Sequence, residues 1–300
     1  MPIPSIKLFP TIAKMPNPVN LLPRLSQSLT AKAKSFSLNR SVFFLLTVGL
    51  TAGWVMAVKA ESPQTAPPQL KETLAQIDAA ANSHNIENLA QFYSAEFKNS
   101  DGLTRATMEQ GLQQLWERYP QLSYRTELQS WENEGNAIVA ETVTYITGTQ
   151  PGESGNWQLE SKLRSRQRYE DNKIVYSEIL AEQTQITSGA NPPKVQVNLP
   201  EQVRIGQQFA FDVIVEEPLG DNLLLGTAVE EPIQGDRYSQ PTDFELELLP
   251  AGGIFKLGKA PIRAENRWIS AVLISNEGMT TITRRLEVID PVSGSRSSPK

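Results

Sequence analysis

The chain has 300 residues, with 28 Lys and Arg against 33 Asp and Glu, one histidine and no cysteine. The absence of thiols excludes disulfides, thiolate metal sites, cysteine nucleophiles and a lipid attached to an N-terminal cysteine. The single histidine, His84, excludes histidine-rich metal sites and leaves one imidazole for any Ser/His mechanism. We therefore expect no metal and no cofactor, in a chain long enough for a leader and two ordinary domains.

Charge is unevenly distributed along the chain. Residues 1–60 contain seven Lys or Arg residues and no Asp or Glu, which leaves 21 basic against 33 acidic residues in the remainder. An acidic body repels the phosphates of nucleic acid over most of its surface. We therefore expect no nucleic-acid partner.

An uncharged segment of eighteen residues, 41–58, lies between Arg40 and Lys59. As a helix it would span about 27 Å, close to the hydrocarbon thickness of a bilayer. Six basic residues precede it, so the positive-inside rule keeps the N-terminus in the cytoplasm and sends the following chain across the membrane. The sequence therefore predicts an extracytoplasmic body preceded by a signal or anchor segment.

The fate of this leader has two alternatives. Small residues at its end favour cleavage near Ala57 or Ala60, which would release a soluble protein into the periplasm or a lumen. Without cleavage, residues 41–58 form a single-pass anchor. A buried helix of a cytosolic protein is a weaker alternative, and Met15 could serve as a later start.

The composition divides the chain into segments. Proline-bearing breaks and a polar tail set the boundaries. We predict a basic disordered N-terminus (1–40), a signal or transmembrane anchor (41–60), a Pro-rich spacer (61–68), an α+β domain (69–187), a linker (188–193), a β-sandwich domain (194–289) and a disordered tail (290–300).

The first block, residues 69–187, begins with apolar residues at helical spacing and ends with apolar residues at strand spacing. Leu70, Leu74, Ile77 and Ala81 recur at intervals of three and four residues and predict an amphipathic helix. Two further helices are expected, one capped by Asn85 and bearing Leu89, Phe92 and Tyr93, the other capped by Thr104 and ended by Pro120. Four strands follow, at 122–131, 137–149, 157–169 and 173–186, which together make an antiparallel meander.

The phrases DAAANSHNIENLAQFYSAEF, DGLTRATMEQGLQQLWERYP and RQRYEDNKIVYSEIL, in this order, resemble the nuclear transport factor 2-like superfamily. That superfamily includes ketosteroid isomerase and polyketide cyclases, and the resemblance covers about 120 residues. It implies a cone-shaped domain in which helices cover a curved antiparallel sheet. It also implies a cone interior that can hold a small apolar ligand, an Asp, Tyr or His with catalytic function, and pairing of two copies through the sheet.

The second block is a succession of short strands separated by Gly- and Pro-containing turns. Strands are expected at 194–199, 207–216, 222–229, 244–249, 268–275 and 280–289, with Phe211, Ile254 and Trp268 in the core, and 251–256 as a hairpin turn. The spacing is typical of a sandwich. An immunoglobulin-like β-sandwich without a disulfide is therefore the predicted fold of residues 194–289.

Candidate site residues come from the cone domain. Asp78 and Glu96 are carboxylates that could act as a base, and strand tyrosines could place a hydroxyl in a cavity. Packing and solvation are the alternative role for each of them. The candidates are Asp78, His84, Glu96, Tyr124 and Tyr145, with Tyr169 and Tyr176 as further strand tyrosines.

A basic row, defined as Lys162, Arg164, Arg166 and Arg168, alternates along one face of a predicted strand. It could bind an anion, or it could be a solvated face paired with Glu141, Glu178 and Glu182 on neighbouring strands. Three functions follow, in order of preference. They are a non-catalytic binding or assembly protein, an isomerase- or dehydratase-like enzyme with a buried carboxylate and a tyrosine, and an envelope adaptor that contacts anionic lipid.

Overall fold

The computed structural model describes residues 60–152, 156–216, 223–239, 245–249 and 252–290. Strands predominate and few helices occur, so the described chain is a mixed α+β fold. Within these ranges, no helix is long and apolar enough to span a membrane. The predicted disordered N-terminus, almost all of the predicted leader and most of the predicted tail lie outside the described residues.

Three helices precede most of the strands: α1 (Pro68–Asn82), α2 (Ile86–Ala90) and α3 (Arg105–Arg118). The apolar stripe of α1 is buried, as its spacing predicts. The Asn85 side chain accepts a hydrogen bond from the backbone of Asn88, and Thr104 forms a reciprocal capping pair with Thr107. These local signals fix where the helices begin.

The expected spacer 61–68 packs against the sheet. Pro63–Thr65 form a 3-10 turn, and Ala66 is buried in the main core. Glu61 exchanges backbone hydrogen bonds with Trp131, whose indole Nε1 lies 3.2 Å from the Ser62 carbonyl. This segment therefore differs from an extended spacer, because Trp131 supplies both an apolar surface and a hydrogen-bond donor.

The strands are β1 (Tyr93–Asn99), β2 (Ser123–Glu134), β3 (Ala137–Gln150), β4 (Trp157–Glu170), β5 (Lys173–Gly189), β6 (Val195–Asn198), β7 (Gln202–Arg204), β8 (Gln208–Val215), β9 (Leu225–Pro232), β10 (Glu247–Leu248), β11 (Gly253–Lys259), β12 (Glu265–Ile274) and β13 (Gly278–Ile289). Most of them form a ten-stranded sheet in the order β10-β9-β12-β13-β5-β4-β3-β2. In addition, β1 pairs in parallel with β5, and β7 pairs in parallel with β13.

Two expectations about local structure were wrong. The second helix ends at Ala90, and Tyr93 begins β1 instead of continuing the helix. The fully buried Tyr93 and the buried Phe97 are two β1 side chains whose rings contact edge to face, with centroids 4.9 Å apart. Residues 253–256 belong to β11, which pairs with β8 along its whole length, so the Gly-rich segment is largely strand.

A second sheet has three strands in the order β11-β8-β6. Side chains of β8 and β11 share a core with side chains of β12 and β13, so the small sheet faces part of the large one. Phe211 and Ile254 are buried there as expected. The first block has a separate core, in which the apolar faces of α1 and α3 pack with β2 to β5.

The expected linker 188–193 does not interrupt the large sheet. Strand β5 extends to Gly189, and its residues 183–189 pair with β13 from the second block. At the end of this ladder Gly189, with φ of 105°, pairs with Gly278. A Cβ at Gly189 would lie 2.4 Å from the Glu277 carbonyl oxygen, so this close approach requires glycine.

Candidate functional site

Asp78 is engaged at the edge of the large sheet. It lies near the end of α1, and its Oδ2 accepts a hydrogen bond from the backbone N–H of Thr126 at 2.7 Å. Its Oδ1 accepts a second from the Thr126 hydroxyl at 2.6 Å. Because β2 is an edge strand, its outward backbone groups need partners, and Asp78 supplies one.

Asn82 has the same function one turn further along α1. Its Oδ1 accepts from the backbone N–H of Tyr124, and its Nδ2 donates to the Tyr124 carbonyl, both at 2.8 Å. The side chain thus mimics a paired strand. Asp78, Asn82 and the backbone of Glu61 together complete hydrogen bonds of β2 that would otherwise be open.

His84 and Tyr124 both contact Trp116. The His84 ring stacks on the Trp116 ring with centroids 5.1 Å apart, and Trp116 Nε1 donates to the Tyr124 hydroxyl at 2.9 Å. His84 has φ of 51°, which closes the turn after α1, and its Nε2 is buried without a hydrogen-bond partner. Burial raises the pKa of Tyr124 despite the Trp116 hydrogen bond. Among the described residues no carboxylate orients the His84 imidazole through Nε2, and the contact described for this ring is stacking on Trp116.

The face of β3 to β5 that packs against the helices carries buried hydroxyls and one buried tyrosine on which the charge of Asp78 acts. Tyr169 donates a hydrogen bond of 2.6 Å to Gln167 Oε1. Burial raises the pKa of Tyr169, and the negative charge of Asp78 raises it further. Around them, hydroxyls pair across strands, at 3.1 Å for Thr142 and Ser165 and at 2.8 Å for Ser161 and Thr184.

Three other candidates lie away from this interior. Glu96 is exposed on β1, and Tyr176 is 42% exposed on β5. Tyr145 faces the outer side of the sheet, where the Arg125 guanidinium carbon lies 4.3 Å and Lys162 Nζ lies 5.8 Å from its ring centroid. Its environment is a cation–π stack and not a closed apolar cavity.

The basic row lies on the outer face of β4, as the alternation predicts. Its main ionic partners come from the hairpin end of β2. Arg166 pairs with Glu132, and Arg168 Nη1 lies 2.6 Å from Glu134 Oε2. Of the expected partners, Glu178 interacts with Arg166 through charge. Burial is the largest cause that raises the pKa of the Glu178 carboxyl, and the positive charge of Arg166 opposes that rise.

Glu182 is not a partner of the basic row. The pairing of β4 with β5 shifts between Ser165–Ile179 and Arg164–Ala181, which leaves Leu180 as an extra residue on β5. A bulge of this kind moves the following side chains to the opposite face. Glu182 therefore points into the protein, where its side chain is fully buried.

A buried polar group, which we name the junction cluster, surrounds Glu182. Arg285 on β13 donates to both oxygens of Asp101, at 3.0 and 2.6 Å, and its Nη2 lies 3.9 Å from Glu182. Trp268 Nε1 donates to Glu182 at 3.1 Å, and the Tyr238 hydroxyl donates to Asp101. The junction cluster therefore comprises Asp101, Glu182, Tyr238, Trp268 and Arg285.

The ionisation of the junction cluster follows from burial and from the ion pair. Burial alone would lower the pKa of Arg285, but the hydrogen bonds and charge of Asp101 outweigh it and raise that pKa. Burial, followed by the charge of Asp101, raises the pKa of Tyr238 well above its ordinary value. Both side chains thus keep their protons while the Asp101 loop and the second block are in contact.

Sequence reasoning missed this cluster because its members lie far apart in the chain. Asp101 and Arg285 are separated by 184 positions. Glu182 and Trp268 carry no local motif, and the bulge that turns Glu182 inward leaves no signature. The nearest signal was the hydrophilic Asp101 turn after β1, where Asn99 Oδ1 accepts from the backbone of Asp101 and Leu103.

Among the described residues, no three His, Asp or Glu side chains are grouped so as to hold a metal ion. Residues 190–289 match a family of domains of unknown function, DUF8623. The match covers the second block and assigns it no activity. No curated protein sequence matches the chain.

Similar solved structures include nuclear transport factor 2-like and cystatin-like folds. A Bdellovibrio bacteriovorus protein is 15% identical, with a TM-score of 0.27, over 37% of this chain and 39% of its own. A proposed scytalone dehydratase from Novosphingobium aromaticivorans is 12% identical, with a TM-score of 0.32, over 37% of this chain and 80% of its own. An epoxide hydrolase from M. tuberculosis is 9% identical, with a TM-score of 0.27, over 37% of this chain and 80% of its own. The chain thus spans less than half of the Bdellovibrio protein.

Proposed function

We propose that this chain is an exported or membrane-anchored, non-catalytic binding or assembly protein. In this proposal a cone-shaped domain and an immunoglobulin-like sandwich act as one body. The observation that supports this proposal is that neither candidate base is placed for catalysis in a closed interior. Both oxygens of Asp78 bind Thr126 at the sheet edge, and Glu96 is exposed to water.

The junction supports the same proposal. A cone that acts on a small molecule needs an accessible interior with a free acid or base. Here Trp268 and Arg285 of the second block contact Glu182, which points inward from β5. A buried ion pair and a shared sheet are devices that hold two modules in one orientation, which suits a protein whose task is to present surfaces to partners.

One observation favours the alternative, an isomerase- or dehydratase-like enzyme. The Tyr169 hydroxyl is buried close enough to Asp78 for the carboxylate charge to raise its pKa further. A carboxylate and a tyrosine are the pair that such an enzyme would use as base and oxyanion donor. In that case Asp78 would have to leave Thr126 when a small apolar ligand enters.

Turnover of model substrates tests the choice between these functions. The full chain in detergent is incubated with a β,γ-unsaturated cyclic ketone, for isomerisation, and with a β-hydroxy ketone, for dehydration. Formation of the conjugated enone is followed by ultraviolet absorbance. We expect no rate above buffer. Turnover that disappears in Asp78→Asn and in Tyr169→Phe, but persists in the matched surface variant Glu96→Gln, would establish the enzyme instead.

The location is proposed from the leader, and pairing of two copies through the cone sheet is proposed from the resemblance. Protease added outside intact host cells, after removal of any outer membrane, should digest the body, while an N-terminal tag on the full chain should survive inside. Alkaline extraction then distinguishes an anchor in residues 41–58 from cleavage near Ala57 or Ala60. A body protected from external protease would refute the export proposal.

A further inference from the structure

A cavity of about 170 Å³ lies where the edge strand β6 meets the outer face of β5. It borders the junction cluster, because Glu182 and Arg285 line it together with Gln183. Its lining includes Ala181, Gln183, Val195, Val197, Leu199 and Arg284.

Two arginines line this cavity; Arg285 is paired with Asp101, which leaves Arg284 as the cation for a ligand. Its Nη1 donates to the carbonyl oxygens of Thr184 and Thr283, both at 3.2 Å, which fixes the plane of the guanidinium. Burial lowers the pKa of Arg284, opposed in part by the charge of Glu182. Within the described chain no carboxylate lies at ion-pair distance from Arg284. A half-buried guanidinium held in this way has lost hydration without gaining an anion.

The surrounding charges select the kind of anion. Glu201 lines the cavity, and its Oε2 lies 3.5 Å from Arg164 Nη2. Glu182 also lines the cavity, and its charge acts on Arg284. Two carboxylates in the lining repel a dianion more strongly than a monoanion. The remaining N–H groups of Arg284 form a planar fork that matches a carboxylate.

The aliphatic part of the lining determines which non-ionic part of a ligand the cavity can hold. Val195, Val197 and Leu199 present aliphatic side chains to the cavity. Since one water occupies about 30 Å³ in the liquid, the cavity has room for roughly six waters, or for a carboxylate with a few carbons. We propose that this cavity binds a small monocarboxylate, with its carboxylate on Arg284 and its short apolar body against these three side chains.

Calorimetric titration of the full chain in detergent tests the proposal. The probes are butanoate, hexanoate and inorganic phosphate. We expect saturable binding of the carboxylates at millimolar concentration or below, and no binding of phosphate. Absence of carboxylate binding by the unmodified chain, or equal binding of phosphate, would overturn the proposal.

Two variants localise the binding. Arg284→Gln removes the fork and should weaken carboxylate binding at least tenfold, while Arg204→Gln, an exposed arginine outside the cavity lining, should leave it unchanged. If Arg284→Gln does not fold, Ala181→Leu fills the cavity from the floor and should abolish binding. Its matched control is Ala210→Leu at an exposed strand position. Binding that survives in a folded Arg284→Gln or Ala181→Leu variant places the ligand elsewhere and refutes the inference.

Discussion

Arg285 and Asp101 form a bidentate ion pair across the junction of the two blocks, with both side chains 1% exposed. The loop that carries Asp101 follows β1 of the first block, and β13 carries Arg285. Glu182 lies 3.9 Å from Arg285 Nη2, so this guanidinium faces two buried carboxylates in the junction cluster.

Arg285→Met should destabilise the fold strongly. The change keeps much of the side-chain volume but leaves Asp101 and Glu182 buried without their cation, so we expect a loss of about 3–5 kcal/mol. Chemical denaturation of the full chain measures this loss of unfolding free energy. The control Arg125→Met removes an exposed ion pair with Glu127 and should cost less than about 1 kcal/mol. Equal losses in both variants would contradict the buried role of Arg285.

Gly189→Ala should weaken the pairing between β5 and β13. The new methyl group would meet backbone atoms of Glu277 and Gly278 at 2.4–2.5 Å, in addition to the strain of a positive φ. We expect a loss of about 2–4 kcal/mol in a thermal or urea transition. Gly206→Ala is the matched control, with φ of 68° but open space around the Cβ, and should cost about 1 kcal/mol. Similar costs would show that the steric contact contributes little.

Asn82→Ala should open the edge of β2. The substitution removes both hydrogen bonds to the Tyr124 backbone and exposes a strand edge that can pair with another chain. We expect a loss of about 1–3 kcal/mol and concentration-dependent association in size-exclusion chromatography. Asn88→Ala on α2 is the comparison, since its side chain is exposed. An Asn82→Ala variant that elutes as the parent at all concentrations would argue against edge protection.

Alkaline pH should unfold the chain through its tyrosines. The chain has seven tyrosines, and burial raises the pKa of six. The unfolded chain releases these protons near pH 10, whereas the folded chain retains them. Their contribution to stability is therefore present below about pH 10 and is lost as pH rises through the folded-state values.

Tyrosinate absorbance, followed together with circular dichroism, measures this effect. Most ionisation in the native protein should coincide with loss of structure, whereas in denaturant the tyrosines should ionise together near their ordinary pKa. Ionisation of most tyrosines while the circular dichroism stays native would contradict the buried positions.

Local signals in the sequence predicted much of the first block. The stripe of α1, the caps Asn85 and Thr104, and the alternation of β4 each depend on neighbours within a few residues. The same reasoning was wrong at Tyr93, where an apolar helix continuation and a buried strand look alike over a short segment. Tyr93 lies in a strand because it pairs with β5.

The candidate sites were less predictable, because tertiary contacts determine them. Asp78 resembles a free carboxylate in the sequence, but Thr126, 48 positions away, engages both of its oxygens. Glu182 has the spacing of a surface residue until the bulge at Leu180 is known. Arg284 and Arg285 are adjacent, look equivalent and both line the cavity at β6, yet Arg285 pairs with Asp101 whereas Arg284 donates to backbone carbonyls.

The position of β13 between β5 and β12 also determines when the protein can finish folding. A ribosome delivers β13 after every other described strand, so a nascent chain that stops before Gly278 presents two open strand edges, one from each block. The first block cannot mature first and wait for its neighbour, because its own sheet is extended by β13, the last of the described strands. We expect this protein to depend on chaperones that shield strand edges late in synthesis.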